Sequence, residues 1–310
     1  MWKYLRKNFP EGNYYSAYEA GFCGFKAHRE LTECGINNVV VNPADIPTTD
    51  KEKKQKEDKR DSRKIAESLK NKSIQPIYVP TKAMEELRQL VRYRKTLVKE
   101  ISRNKNRIKS FIYFNGINIP PELDGASKYW SGMFTQWLKS INLTTPYGKM
   151  VLEKKLETTE FLRKQLLRVN RELRNISRTS IFSKKLKLLQ NIPGIALTMS
   201  MTLLTEIENI ERFKSLDKLC SFVGLVPTTH SSSDKLRVGS ITSRANNFLR
   251  SNIIEAAWIA SRTDPSLLYR YNELCKRMKP NEAIVRIAKK LLNRIRYVMK
   301  NDEEYEYSII

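Results

Sequence analysis

Histidine is almost missing from this sequence: His28 and His230 are the whole supply in 310 residues. That excludes a His-rich metal site. Cysteine is scarce too. Cys23, Cys34, Cys220 and Cys275 form no C-x-x-C pair, so neither a zinc knuckle nor a disulfide framework is indicated. No stretch approaches the ~20 apolar residues of a membrane span. The opening MWKYLRKNFPEGN carries basic residues but neither the apolar core nor the small-residue cleavage site of a secretory signal. The expectation is a reduced, cytoplasmic protein with no membrane partner. Acidic residues are also short, 33 against 57 Lys and Arg, which leaves a net charge of +24. A polyanion is the natural partner for such an excess, because each neutralised phosphate releases counterions. The plain alternative is a merely soluble, ribosomal-type basic protein. Hydrophobic residues make up 40%, enough for a packed core and against wholesale disorder.

The first recognisable unit spans about residues 13 to 80. Tyr14-Tyr15-Ser16-Ala17-Tyr18 reads as a short aromatic strand ended by Glu19-Ala20-Gly21, and Phe22 to Cys34 reads as a helix closed by Gly35. Asn38-Val39-Val40-Val41 is an apolar run suited to a buried parallel strand. Strand, helix and strand within about 30 residues make a βαβ unit with parallel neighbours. Residues 48–64 are dense in charge, first as a mobile basic loop, then as an amphipathic helix carrying Ile65, Ala66 and Leu69; Ile74 to Pro80 reads as another strand. Two long helices follow. One bears Leu87, Leu90, Val91, Leu97, Val98, Ile101, Ile108 and Ile112, and the other runs from Tyr147 to about Ser177. They form either an antiparallel pair or an intermolecular coiled coil that dimerises the chain. Between them lies an aromatic stretch with Trp130, Phe134 and Trp137. The rest reads as mainly helical and closes on a basic amphipathic helix with Ile284, Ile287, Leu291, Ile295 and Val298 on its buried stripe.

Three constellations carry possible chemistry. Glu19 follows a buried strand, where α/β folds place ligand-binding residues. Asp58 and Asp61, three apart, share one helical face. Such carboxylates suit hydrated Mg²⁺, with Lys59, Arg60 and Arg63 holding a phosphate backbone nearby; surface salt bridges on an exposed helix are the competing reading. The second constellation is the segment from Pro227 to Arg250, where Ser231, Ser232 and Ser233 lie between His230 and Asp234 and are followed by Lys235, Arg237, Arg244 and Arg250. A serine in positive surroundings can attack phosphorus; an ordinary turn, or phosphate binding without chemistry, competes with that. A Ser232, His230 and Asp234 hydrolase triad fits poorly, for want of a G-x-S-x-G elbow. The third is Ile192 to Ala196, IPGIA, either a phosphate-presenting turn between helices or a plain tight turn.

In order, these pieces resemble the DEDD-type insertion-sequence transposases, a family guided by a bridge RNA. YEAGFCGFKAHRELTECGINNVVVNPADIP is similar to the segment around that family's catalytic glutamate, and KEDKRDSRKIAESL to its paired aspartates. NIPGIALTMSMTLLTEIENIERFKSLDKLCSFVGLVP with the serine segment and GSITSRANNFLRSNIIEAAW resembles its C-terminal domain.

The resemblance implies an α/β, RuvC-like (RNase H-type) domain over residues 1–80, a helical coiled-coil connector over 81–180 and a mainly α transposase domain over 181–310. It implies Glu19, Asp58 and Asp61 as metal-binding acids, Mg²⁺ as cofactor and Ser232 as the nucleophile, with Ser231 and Ser233 as alternatives. Double-stranded DNA, a structured guide RNA and further copies of the chain, as dimer or tetramer, would be the partners. Two departures stand out. The family begins with additional strands, the first bearing an aspartate, whereas this chain starts about a dozen residues before Tyr14; Asp45 and Asp50 come too late to substitute. The expectation is an incomplete domain lacking one metal ligand, from a start assigned too far downstream, an interrupted gene or a fragment. Ser233 and Ala245 also stand where the family usually has glycines. A RuvC-like nuclease using the acids alone, and a non-catalytic DNA- or RNA-binding protein, are the other functional readings.

Overall fold

The computed structural model describes residues 2–46, 57–232 and 235–307, with 229–232 and 235–238 as backbone. The chain divides into two compact units, 1–81 and 82–310.

In the smaller unit, helix α1 (Trp2–Asn8) precedes strand β1 (Tyr15–Glu19), helix α2 (Lys26–Glu33) and strand β2 (Asn37–Val41). The strands are parallel, in register from Tyr15 opposite Asn37 to Glu19 opposite Val41. The βαβ arrangement expected from the alternating pattern is therefore present. Val40 and Val41 are fully buried. Two boundaries differ from expectation. Glu19 is the last residue of β1 rather than lying beyond it, and α2 starts later than Phe22 because Gly24 sits at φ +60°, off the helical path. A short 3₁₀ turn, Pro43–Asp45, follows β2. The expected basic loop, with Asp50, falls largely outside the described residues. Helix α3 (Asp58–Lys70) then packs beside β1. The strand expected over Ile74 to Pro80 does not form. A single bridge joins Val41 to Pro76, and Ile77 N–H donates to the Val40 carbonyl. Pro76 and Pro80 lack the donors a longer ladder needs.

The larger unit is helical apart from one hairpin. Helices α4 (Lys82–Phe114) and α6 (Pro146–Ser177) run antiparallel. Asn104 of α4 donates to the Lys155 carbonyl and, at 2.6 Å, to the Thr159 hydroxyl, while Arg94, earlier on α4, meets Asn170, later on α6. Asn104 and Thr159 are both buried, so they satisfy each other inside an apolar seam and fix its register. The aromatic stretch joining these helices becomes a small second core around α5 (Gly132–Ser140). There Phe134 is fully buried, with its ring edge-on to Trp130 at 5.3 Å.

The main core is built by α7 (Ser180–Gln190), α8 (Leu197–Ile207), α9 (Leu216–Val223), α10 (Asn247–Thr263), α11 (Pro265–Cys275) and α12 (Pro280–Asn301). Strands β3 (Pro227–Ser232) and β4 (Lys235–Ile241) form an antiparallel hairpin between α9 and α10. The five apolar residues predicted for the last helix's stripe are all buried. IPGIA is a tight turn between α7 and α8, with Ile192, Pro193 and Ile195 buried. It packs against α10, which answers the alternative left open for it. No described helix is long and apolar enough to cross a membrane. Cys220 is fully buried and burial pushes its thiol up to about 11, whereas Cys23 is exposed. Since thiolate is the reactive form, native protein at pH 8 is expected to alkylate at Cys23 and spare Cys220, as read by peptide mass spectrometry. Comparable labelling of the two would contradict this packing.

Candidate functional site

Of the predicted acids, Glu19 ends β1 half-buried, and Asp58 and Asp61 occupy the first turn of α3, the former exposed and the latter half-buried. Acidic residues suit this end of a helix, where the free amides carry partial positive charge. Among the described residues these three carboxylates form no ion pair; the neighbouring Arg60 pairs with Glu57 instead, at 3.5 Å. Neither aspartate makes the surface salt bridge of the competing reading among the described residues. The oxygen-only donor set is right in kind for Mg²⁺. In arrangement it does not fit: among the described residues no three Asp, Glu, His or Cys side chains gather closely enough to hold a metal ion. A connected polar chain of this unit lies elsewhere, from His28 Nδ1 to Asn38 Oδ1 at 2.8 Å and from Asn38 Nδ2 to Ser16 Oγ at 2.7 Å.

The serine segment, expected as a loop, is the tip of the β3–β4 hairpin. Ser232 ends β3 directly opposite Lys235, Ser231 opposes Leu236 and His230 opposes Arg237. Ser233 and Asp234 lie outside the described residues. The base of the hairpin is held tightly. Arg250 donates from Nη1 to the Thr242 carbonyl at 2.7 Å and from Nη2 to Asn247 Oδ1 at 2.6 Å. Its guanidinium thus braces the passage from β4 into α10. Gly224, at φ +83°, lies so close to Ala245 that a Cβ on it would come within 2.1 Å of the alanine methyl. Arg244 is exposed on the same passage.

Sequence reasoning missed the group behind this hairpin. Glu206, on α8, is 1% exposed and receives both forks of Arg92 of α4, at 2.7 and 2.8 Å. Arg88 Nε stands 4.0 Å away, and Asn246 Nδ2 donates to Glu206 Oε2 at 2.7 Å. Asn246 in turn caps α10 by accepting from Leu249 N–H. One buried carboxylate therefore ties α4, α8 and the start of α10 together. Outside it, Arg92, Lys95 and Lys99 face Asn246, Asn247 and Phe248 across a cavity of about 540 Å³. Lys95 donates to Ser251 Oγ at 2.6 Å and lies 4.9 Å from the centre of the Phe248 ring. Burial pushes its ammonium below the usual lysine range, with Lys99 adding to the effect and Glu255 opposing it. An anion entering the cavity would relieve that strain on the charged form. The available signals were a lone glutamate in the apolar MSMTLLTEI and cations spaced three and four apart in RYRKTLVK.

Comparison with known proteins bears on both units. The DEDD-type IS110 transposase model matches residues 21–114, and the model described as Transposase IS116/IS110/IS902 family matches residues 186–272. The two segments together exceed half the chain. This chain belongs to the IS110 family of transposases. The first match includes Asp58 and Asp61 and begins just after Glu19; the second includes the hairpin, Glu206 and the start of α10. Among relatives, the y4qE protein of Sinorhizobium fredii is 25% identical over 265 residues, covering 84% of this chain and 63% of that protein. The transposase for insertion sequence element IS1533 of Leptospira borgpetersenii is 24% identical over 211 residues, 67% of this chain and 60% of the relative. The transposase for insertion sequence element IS1111A of Coxiella burnetii is 25% identical over 292 residues, 91% and 77% respectively. This IS110-family chain spans a little under two-thirds of the length of the first two.

Proposed function

We propose that this IS110-family chain cuts and rejoins double-stranded DNA during transposition of an insertion sequence, with a serine at the hairpin tip as nucleophile. The observation that carries the reading is the placement of Ser231 and Ser232 at the end of a hairpin whose base is braced by Arg250, within the segment matched by the family model. Ser232 Oγ would attack a backbone phosphorus. The new Ser–O–P bond forms, the P–O bond to the departing nucleotide breaks, and that oxygen takes up a proton. Attack by a DNA hydroxyl on the phosphoserine then restores the serine and joins the strand, so no external energy source is consumed. Lys235, opposite Ser232 by register, and Arg237 supply positive surroundings for the attack. Lys95 and Lys99 hold a flanking phosphate in the cavity, and Arg244 extends the same basic surface.

The family points to divalent-metal use, and Glu19, Asp58 and Asp61 are the candidate ligands, within a domain we read as RuvC-like. When bound, Mg²⁺ would neutralise charge on a phosphate. Among the described residues these carboxylates are not gathered into a metal site, and the serine chemistry does not depend on them. Lys59, Arg60 and Arg63 of α3 place cations beside Asp58 and Asp61 for a nucleic-acid backbone. A structured guide RNA and assembly as a dimer or tetramer through the α4–α6 pair complete the proposal, the exposed charged faces of those long helices being available for either.

The test is a covalent adduct. Wild-type protein incubated with duplex DNA bearing an insertion end is expected to give a protein–DNA band on a denaturing gel, and Ser232→Ala to abolish it. Loss with Ser231→Ala or Ser233→Ala alone moves the nucleophile to that residue. An adduct surviving all three substitutions, or cleavage that never passes through one, overturns the serine mechanism. Retained metal-dependent cleavage by Asp58→Asn and Asp61→Asn would remove these acids from the site.

A further inference from the structure

The basic amphipathic helix at the end of the chain has a second face that the proposed chemistry leaves unused. While Ile284, Ile287, Leu291 and Ile295 of α12 are buried, Arg286, Lys289, Lys290, Asn293 and Arg294 follow one another at helical spacing on the opposite side. With Arg270 of α11 they line a cavity of about 640 Å³. It shares no lining residue with the cavity beside the hairpin. Two of its five cations are already neutralised, Lys289 by Asp217 at 3.0 Å and Arg294 by the buried Asp264 at 2.7 Å. Arg270, Arg286 and Lys290 are exposed and form no ion pair among the described residues. Arg294 is also fixed by Ser266 Oγ, at 2.7 Å, and by Tyr305. The ladder is therefore anchored at one end and open at the other.

We propose that this α11–α12 surface is a second binding site for nucleic acid, gripping the phosphate backbone of duplex DNA away from the hairpin. Arg286 and Lys290 stand one turn apart along about 6 Å of helix axis, with the already paired Arg294 one turn further on. A regular strand presents one phosphate per ~3.4 Å of its axis, so about two phosphates fall within the open part of the row. Arg270, Arg286 and Lys290 stand on helices already packed, so their charges meet such a row without any rearrangement of the fold. Tyr269 is the one exposed aromatic lining the cavity, whereas single-strand sites stack successive bases on several rings. That contrast favours the duplex. Nothing in this inference requires Ser232 to be a nucleophile.

The experiment is a salt series of binding to a fluorescent duplex of arbitrary sequence, read by anisotropy, so that no cleavage is needed. The triple variant Arg270→Gln, Arg286→Gln and Lys290→Gln is expected to bind roughly ten- to hundredfold more weakly near ~0.1 M salt, and to flatten the slope of log K against log salt by about 2–3. A matched variant neutralising three exposed cations away from both cavities and from the α4–α6 pair, Lys128→Gln, Lys185→Gln and Lys187→Gln, is expected to change the slope less. Thermal melting of both variants checks that folding is kept. An unchanged slope in the first variant, an equal loss in the second, or a loss seen only with a single-stranded RNA probe each overturns the proposal. Because binding is measured without chemistry, failure here leaves the adduct test untouched, and failure of the adduct test leaves this one standing.

Discussion

Substituting Gly194 with alanine is expected to destabilise the larger unit by about 2–5 kcal/mol, enough to lower its melting temperature by roughly 4–20 °C. Two costs combine. The residue sits at φ +81°, where an L side chain is strained by about 1–2 kcal/mol. The added Cβ would also lie 2.3 Å from the Ala256 carbonyl oxygen of α10. That neighbour is backbone in the middle of a buried helix and cannot swing aside, so α10 itself must shift. Overpacking of this kind costs ~1–3 kcal/mol more. Gly116 provides the control. It has φ +67° but nothing within 4 Å of its added Cβ, so Gly116→Ala should show the strain alone, about 1–2 kcal/mol. Equal losses from the two substitutions in chemical denaturation would show that the turn does not press on α10.

Removal of the Glu206 carboxylate should be the other large effect. Glu206→Ala deletes the acceptor shared by Arg92, Arg88 and Asn246 and is expected to cost about 3–4 kcal/mol, toward the lower end for a broken buried pair. The lower end applies because the Arg92 side chain is 50% exposed, so water can resolvate the stranded guanidinium. Arg92→Ala leaves Glu206 buried but still held by Asn246 and near Arg88, and is expected to cost less, about 2 kcal/mol. A Glu206→Ala protein within ~1 kcal/mol of wild type in urea unfolding would rule out the role of this carboxylate as a tie.

The outcome of the sequence reading follows the range of the interactions involved. The βαβ order in the smaller unit, the two long helices and the buried stripe of α12 were legible because apolar periodicity is a local signal. The third strand was misread because a β-rich composition around Ile77 says nothing about missing donors at Pro76 and Pro80 unless a partner strand is known. Asp58 and Asp61 were placed correctly on one helical turn, yet their spacing carries no information about how far Glu19 lies from them. The serine segment was recognised by composition and its hairpin was not, because Ser, Asp and Lys in a row fit a loop as well as two short strands. Glu206 was invisible for a different reason. Its partners are 114 and 40 residues away in the chain, and long-range pairing leaves no local pattern.

Arg92 has two employers. It holds Glu206 from inside, and its half-exposed side chain also lines the cavity in which a phosphate is proposed to sit. Filling that cavity and holding α4 against α8 are therefore thermodynamically linked. An anion that binds there and not to the unfolded chain raises the melting temperature with its concentration. By reciprocity, the anion strengthens the Arg92–Glu206 tie only as far as an intact tie strengthens the anion's binding. The grip on the backbone and the integrity of the junction beneath it are then two readings of one equilibrium.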